Sequence, residues 1–416
     1  MIHEETTKAE TPEAKYLTYF SRARVGLFTS YTYATYVTGK ATNWGGTHYS
    51  ADDPRGAVSA EEAAALFDGE KFARTAYDMG AEYVVFTAAH AGFNLLFPSD
   101  TMKNAGCPHK CTETSDVIQK LIDGLDAYGI PLVVYLPPND DHDILDEDLV
   151  KMGWYQNPEG RTDFLIQLIN EIYDRYGDKI VGFWFDQGGP SSQVCNAVKQ
   201  RNPNAVVFIN TGVTANEEPH PYSDFLVSEY YGSIESVDSD TLPVHYSQVN
   251  RQIGNWWAAG GRAPTTARNL YRYSVRTIAV EGQFNGGIAW SCGPYLDQTW
   301  EIGVRDLLSE LGDLLRSHDG IYGTVPGKCY PTAPNSTLSK DRWGVSTESP
   351  DGSLIYLHVL NRPEDGVLKL PFPENGREFT AARFGEEPLT MTRTAEGYEI
   401  VLPREDDQID TVISLK

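Results

Sequence analysis

The stretch Ile180-Val-Gly-Phe-Trp-Phe-Asp186-Gln-Gly-Gly189 is an apolar run that ends on a carboxylate and two glycines. An apolar run of this length bounded by turn residues fits a strand buried on both faces, as in parallel sheets covered by helices. Just before it, Thr162 to Tyr176 carries Phe164, Leu165, Leu168, Ile169 and Ile172 at helical spacing and stops at Gly177. Helix followed at once by buried strand is the repeating unit of an α/β fold.

The same unit recurs on both sides. Strands are expected at Val25–Phe28, Tyr83–Thr87, Pro131–Tyr135, Ala205–Ile209, Phe225–Val227 and Gly287–Trp290. Helices are expected from Phe72 to Met79, from Ser115 to Gly129 and from Trp300 to His318. Seven or eight such strands fit a (β/α)8-like barrel better than an open doubly wound sheet. Ser233 to Arg262 fits neither period and reads as a long loop or short helices near the mouth. After Gly320 the texture changes to short Val-, Leu-, Thr- and Tyr-rich runs broken by turn residues, the pattern of an antiparallel β-sandwich. The expected organisation is therefore a barrel over residues 1–320 and a C-terminal sandwich over residues 321–416.

Charge narrows the partners. The chain has 58 acidic and 34 basic residues and a formal net charge of −24, which disfavours nucleic acid and anionic membrane surfaces as partners. No apolar run is long enough to span a membrane, and the N-terminus lacks a signal-peptide pattern, so a cytoplasmic protein is expected. The five cysteines form no evident disulfide framework. Cys107-Pro-His-Lys-Cys111 has two thiols and an imidazole, but its spacing is wrong for zinc and no second pair completes a tetrahedron, so neither metal nor cofactor is expected. A homo-oligomer is left open.

Catalytic groups of such barrels project from the C-terminal ends of the strands. Three residues stand there: His90 after Val84–Ala89, Asp186 after Val181–Phe185 and Glu229 after Phe225–Ser228. Glycosidic cleavage needs one ionised carboxylate and one protonated carboxyl flanking the bond, and Asp186 with Glu229 is the natural pair. The competing reading for Asp186 is a cap on the helix expected after Pro190. Aromatic residues crowd the same ends, among them Tyr31, Trp44, Tyr49, Tyr135, Trp184 and Trp290, and sugars pack their C–H faces on such rings. The partner expected from this set is an oligosaccharide or other glycoside.

Several motifs resemble those of the retaining α-L-fucosidases, glycoside hydrolase family 29. They are Gly26-Leu-Phe28, Asp78-Met-Gly-Ala-Glu-Tyr-Val-Val-Phe-Thr87, Trp184-Phe-Asp186-Gln-Gly, Gly286-Gly-Ile-Ala-Trp-Ser-Cys-Gly-Pro294 and Asp319-Gly-Ile-Tyr-Gly-Thr324. The resemblance implies that Asp186 is the nucleophile, with Glu229 in Ser228-Glu-Tyr230 as the acid/base. It also implies a covalent glycosyl-enzyme intermediate. Two motifs depart from the family. Its His-Trp after the first strand is Ser30-Tyr31 here, and its Lys-His-His-Asp-Gly-Phe is Ala88-Ala-His90-Ala-Gly-Phe93. Losing a hydroxyl-binding partner inside a dry pocket costs about 1–3 kcal/mol. Two alternatives therefore stand beside a fucosidase: a glycosidase for another sugar, such as an L-galactoside or a furanoside, and a non-catalytic carbohydrate-binding homologue.

Overall fold

The computed structural model describes residues 15–22, 24–33, 46–139, 141, 144–186, 188–210, 220–229, 240, 248–252, 265–281, 287–404 and 409–416. At positions 24, 228, 229 and 248–252 it describes the backbone alone. Eight strands close a parallel barrel in chain order: β1 Arg24–Thr29, β2 Tyr83–Thr87, β3 Leu132–Leu136, β4 Ile180–Phe185, β5 Val206–Asn210, β6 Phe225–Glu229, β7 Gln248–Gln252 and β8 Gly287–Ser291. β1 pairs with β8 from Arg24 opposite Gly287 to Phe28 opposite Ser291, which closes the ring. The barrel expected from the sequence is thus present. One expectation is corrected: within the stretch read as a long loop or short helices, residues 248–252 form β7.

The outer layer contains α2 and α3 (Ala60–Leu66 and Gly69–Asp78), α4 and α5 (Asp100–Asn104 and Val117–Asp126), α6 and α7 (Asp146–Lys151 and Pro158–Tyr176) and α8, α9 and α10 (Ser192–Arg201, Ala267–Ile278 and Val304–Ser317). Two helices start earlier than apolar spacing suggests, because polar caps set their beginnings. Asp68 caps α3 through the Lys71 amide, and Asn157 caps α7 through the Gly160 amide. Helix α1, Lys15–Phe20, covers the lower end of the barrel. There Phe20 packs edge-on against Tyr83 and Phe208, a burial worth about 1.5–3 kcal/mol.

The inner core consists of one residue in two along most strands: Phe28, Tyr83, Val85, Val133, Tyr135, Val206, Phe208, Phe225, Val227 and Ala289. β4 breaks this rule. Val181 and Trp184 both pack inside, while Ile180, Phe183 and Phe185 face the helices. The cause is an irregularity in pairing. Leu132 sits opposite Ile180, but Val133 sits opposite Gly182, so β4 has one extra residue at Val181. Without that bulge, alternation from Val181 would send Asp186 outward to the helices.

The C-terminal part is a sandwich. Strands β9 to β11 (Val325–Pro326, Gly344–Glu348 and Ile355–Val359), β12 to β14 (Val367–Pro371, Ala382–Phe384 and Glu387–Leu389) and β15 to β17 (Met391–Arg393, Gly397–Val401 and Thr411–Leu415) form two antiparallel sheets. The orders are β14-β13-β17-β11-β10-β9 and β12-β16-β15. Leu357, Ile413 and Leu415 of the first sheet pack with Leu368, Leu370 and Ile400 of the second. A buried polar link joins sandwich to barrel: Asp410 Oδ2 accepts from Tyr271 of α9 at 2.7 Å and lies 2.7 Å from His358 Nδ1. All five cysteines are free and buried, including Cys107 and Cys111. Burial, aided by the Asp148 charge, pushes the Cys107 thiol up to about 11. No described helix is long and apolar enough to cross a membrane.

Candidate active site

Asp186 follows β4 directly, and its amide donates to the Leu136 carbonyl at 3.1 Å, so it extends the barrel wall at the C-terminal end. Asp186 is 9 % exposed. Both carboxylate oxygens are engaged. Tyr135 of β3 donates its hydroxyl to Oδ2 at 2.5 Å, and Asn210 of β5 donates Nδ2 to Oδ1 at 2.8 Å. Donors from the two flanking strands fix the rotation of the carboxylate and pair with its negative charge. The helix-cap reading fails here: Ser191, not Asp186, stands at the N-cap of α8, and Asp186 makes its side-chain bonds inside the barrel.

The turn after Asp186 is tight. The Gly189 amide returns to the Asp186 carbonyl at 3.1 Å, and the Gly188 amide donates to Asn210 at 2.9 Å. Gly189 has φ +76°, and a Cβ there would lie 2.4 Å from Ile209 Cγ2, so glycine is required on both counts. His90 lies beside this group, its ring near-parallel to Tyr135 at 5.9 Å. The hydroxyls of Ser30, just after β1, and Ser291, at the end of β8, are buried and without a partner. Such unmet hydroxyls in a barrel mouth are suited to a ligand's hydroxyls.

The structure brings Asp186, Tyr135 and His90 together and adds Asn210, which the sequence reading missed. An asparagine at a strand end reads as a turn residue, and only the pairing of β4 with β5 shows its target. Glu229 is the last residue of β6, two positions after the inward Val227 and opposite Asn250 of β7. Trp184 lies inside the barrel one layer below Asp186, against Phe28 and Phe208. Tyr49 is 39 % exposed, and its carbonyl accepts from the Asp297 amide beyond β8. Trp44 lies outside the described residues.

Two expected sugar contacts are corrected. Tyr31 and Trp290 are each one residue out of phase with the inward positions, so both are fully buried behind the strands. Tyr31 donates to the Ala63 carbonyl at 2.8 Å, and Trp290 Nε1 donates to Ser274 Oγ at 3.0 Å. Among the described residues no cluster of His, Cys, Asp and Glu could hold a metal ion.

Solved structures share this architecture. An α-L-fucosidase of glycoside hydrolase family 29 from Bacteroides thetaiotaomicron matches with a TM-score of 0.66 and 18 % identity, over 99 % of this chain and 96 % of that one. α-L-Fucosidase isoenzyme 1 from Paenibacillus thiaminolyticus matches at 0.64 and 19 %, over 97 % and 98 %. The Thermotoga maritima α-fucosidase in complex with a mechanism-based inhibitor matches at 0.63 and 18 %, over 96 % of each chain. At such identities the likeness is one of fold. None of the curated proteins compared matches the chain significantly in sequence. The α-L-fucosidase family model matches residues 3–318, most of the chain and the whole of the described barrel. The chain is therefore a glycoside hydrolase belonging to the α-L-fucosidase family.

Proposed function

We propose that this enzyme is a retaining exo-glycosidase of α-L-fucosidase type, with Asp186 as nucleophile and Glu229 as acid/base. In the first step Asp186 attacks the anomeric carbon, the glycosidic C–O bond breaks, and the Glu229 proton passes to the departing oxygen. In the second, the Glu229 carboxylate takes a proton from water, the water oxygen bonds the anomeric carbon, and Asp186 leaves. The observation that carries this reading is the inward, doubly hydrogen-bonded carboxylate of Asp186 at the end of β4. The position of Glu229 supports the pairing. It ends the strand two places from β4, a lateral backbone separation of roughly 10 Å. Retention requires carboxyl groups ~5–5.5 Å apart, and acid side chains extending from two such strand ends span the difference. A related Bacteroides thetaiotaomicron enzyme is described as a trapped covalent intermediate with 2-fluoro-fucosyl fluoride.

The second reading, a glycosidase of the same mechanism for a different sugar, is favoured by one observation. Ser30 stands where the family has histidine, and its unpartnered hydroxyl, with that of Ser291, presents a smaller wall to the sugar ring. Both readings predict that Asp186→Asn abolishes turnover while the unfolding midpoint stays near that of the parent. An active asparagine variant contradicts both. A panel of aryl α-L-fucosides, β-D-galactosides, L-galactosides and furanosides then separates them by which chromophore is released.

A further inference from the structure

The connection between β2 and α5 holds a buried charged group that the proposed chemistry does not use. Lys110 is the one buried lysine among the described residues, 2 % exposed, and a lysine is almost never fully buried without a partner. Its counter-charge is Asp148 of α6, equally buried, with Oδ2 3.9 Å from Lys110 Nζ. Burial acts against the Asp148 charge, but hydrogen bonds with His109 at 2.9 Å and Lys151 at 3.2 Å hold its carboxyl below the usual carboxylate range. Burial also pulls the Lys110 ammonium below its ordinary value, and the Asp148 charge opposes that pull. A buried ion pair at this distance adds little net stability, so stability alone does not account for the lysine.

Lys110 Nζ donates to the Gly92 carbonyl at 2.7 Å, and the Lys110 carbonyl accepts from the Leu95 amide at 2.8 Å, so one residue grips the chain on both sides of Phe93. The gripped segment is a tight turn that begins at His90, where the Phe93 amide donates to the His90 carbonyl at 2.7 Å. Gly92 has φ +80°, as the third residue of a type II turn requires, and Phe93 follows at φ +46°, a left-handed conformation that residues with side chains rarely hold. Such backbone persists only where its surroundings hold it. The Phe93 ring is pinned edge-on by Trp154 at 4.7 Å and Phe164 at 6.3 Å, and Lys110 holds the peptide that joins the two left-handed residues. At the head of the same turn the His90 ring lies near-parallel to Tyr135, which donates to Asp186.

We infer that Lys110 is a positioning residue for the hydrolase reaction: by holding the Gly92 carbonyl it fixes the turn that sets His90 beside Tyr135 and Asp186. The inference rests on the reading of His90 as a sugar contact at that site. The test is a double-mutant cycle. Lys110→Met removes the donor and keeps the apolar stem, and Lys110→Met combined with Asp148→Asn removes both charges, so that one of the two variants is free of any folding defect caused by an unpaired Asp148. Each is made in the parent and in His90→Ala, and kcat and KM are measured on an aryl glycoside that the parent cleaves. With His90 present, kcat/KM is expected to fall about tenfold or more, the scale on which misplaced contacts act. With His90 already removed, the same change is expected to cost less than about twofold. An equal factor in both backgrounds makes Lys110 a structural residue only and overturns the inference. The turn is also read without substrate, on protein carrying histidine labelled at Cε1. The His90 ring resonance, assigned by its loss in His90→Ala, is expected to shift or broaden in Lys110→Met while that of His358 in the sandwich stays in place. A His90 resonance that keeps the parent's position overturns the inference. Should no glycoside be cleaved, the hydrolase reading of Asp186 falls by itself, and the resonance still decides the role of Lys110.

Discussion

The hydroxyl of Tyr135 lies 2.5 Å from Oδ2 of Asp186, reaching from the neighbouring strand to the carboxylate proposed as the nucleophile. Hydrogen bonds to a charged acceptor contribute about 1.5–3 kcal/mol. Tyr135→Phe keeps the ring, its edge contact with Phe28 and its packing on His90, and removes only this donor. The expected result is a fall in kcat of about 10- to 100-fold with a KM shift of only a few-fold. Steady-state kinetics on any accepted glycoside checks this; an unchanged kcat would make the tyrosine a packing residue only.

The bulge in β4 gives a second prediction. Gly182 sits at the register shift, where an added Cβ would come within 2.5 Å of both the Val206 carbonyl oxygen and its Cγ2. Backbone cannot yield there without disturbing the β4–β5 pairing that aims Asn210 at Asp186. Gly182→Ala is expected to lower the thermal midpoint by several degrees, with a larger proportional loss of kcat than of folded protein. Calorimetry together with kinetics separates the two effects, and a variant with the parent's midpoint and activity would remove the bulge from the account.

Acid stability gives a third. Glu61 at the start of α2 accepts from the amides of Glu113, Thr114 and Ser115 and from the hydroxyls of Thr114 and Ser115, and so fastens the loop before α5. Burial acts against ionisation, but these bonds outweigh it and hold the carboxyl down at about 2. The folded value lies below the unfolded one of ~4.3, so the contribution is present above about pH 4.3 and is lost as pH falls towards 2. Glu61→Gln should lower the urea midpoint near neutrality and flatten its decline between about pH 5 and pH 2.5. Parallel curves for parent and variant would contradict the assignment.

Barrel and sandwich were legible because most of their strands are apolar runs between turn residues. β7 was not, since Gln-Val-Asn-Arg-Gln offers one apolar residue in five and only closure between β6 and β8 makes it a strand. Helix α9 was hidden differently. It buries Arg272 and Arg276, which a hydropathy pattern places in solvent. Arg272 instead donates to the Leu360 and Ile409 carbonyls and pairs with Asp240, and Arg276 donates to the Ser336 carbonyl. These partners lie far along the chain and cannot be read locally. In the candidate site, the position of Asp186 after an apolar run is what marks it in the sequence. Phase was harder: Trp290 and Tyr31 share strand ends with pocket residues but face the helices. The bulge that turns Asp186 inward leaves no mark in composition.

The central claim is that Asp186 forms a bond to the sugar. The direct measurement is to incubate the enzyme with 2-deoxy-2-fluoro-α-L-fucosyl fluoride, digest it, and map the labelled peptide by tandem mass spectrometry. The account predicts a single fluorofucosyl ester on Asp186 that decays in step with recovered activity. A label on another carboxylate, or no label on a protein that hydrolyses fucosides, would contradict it.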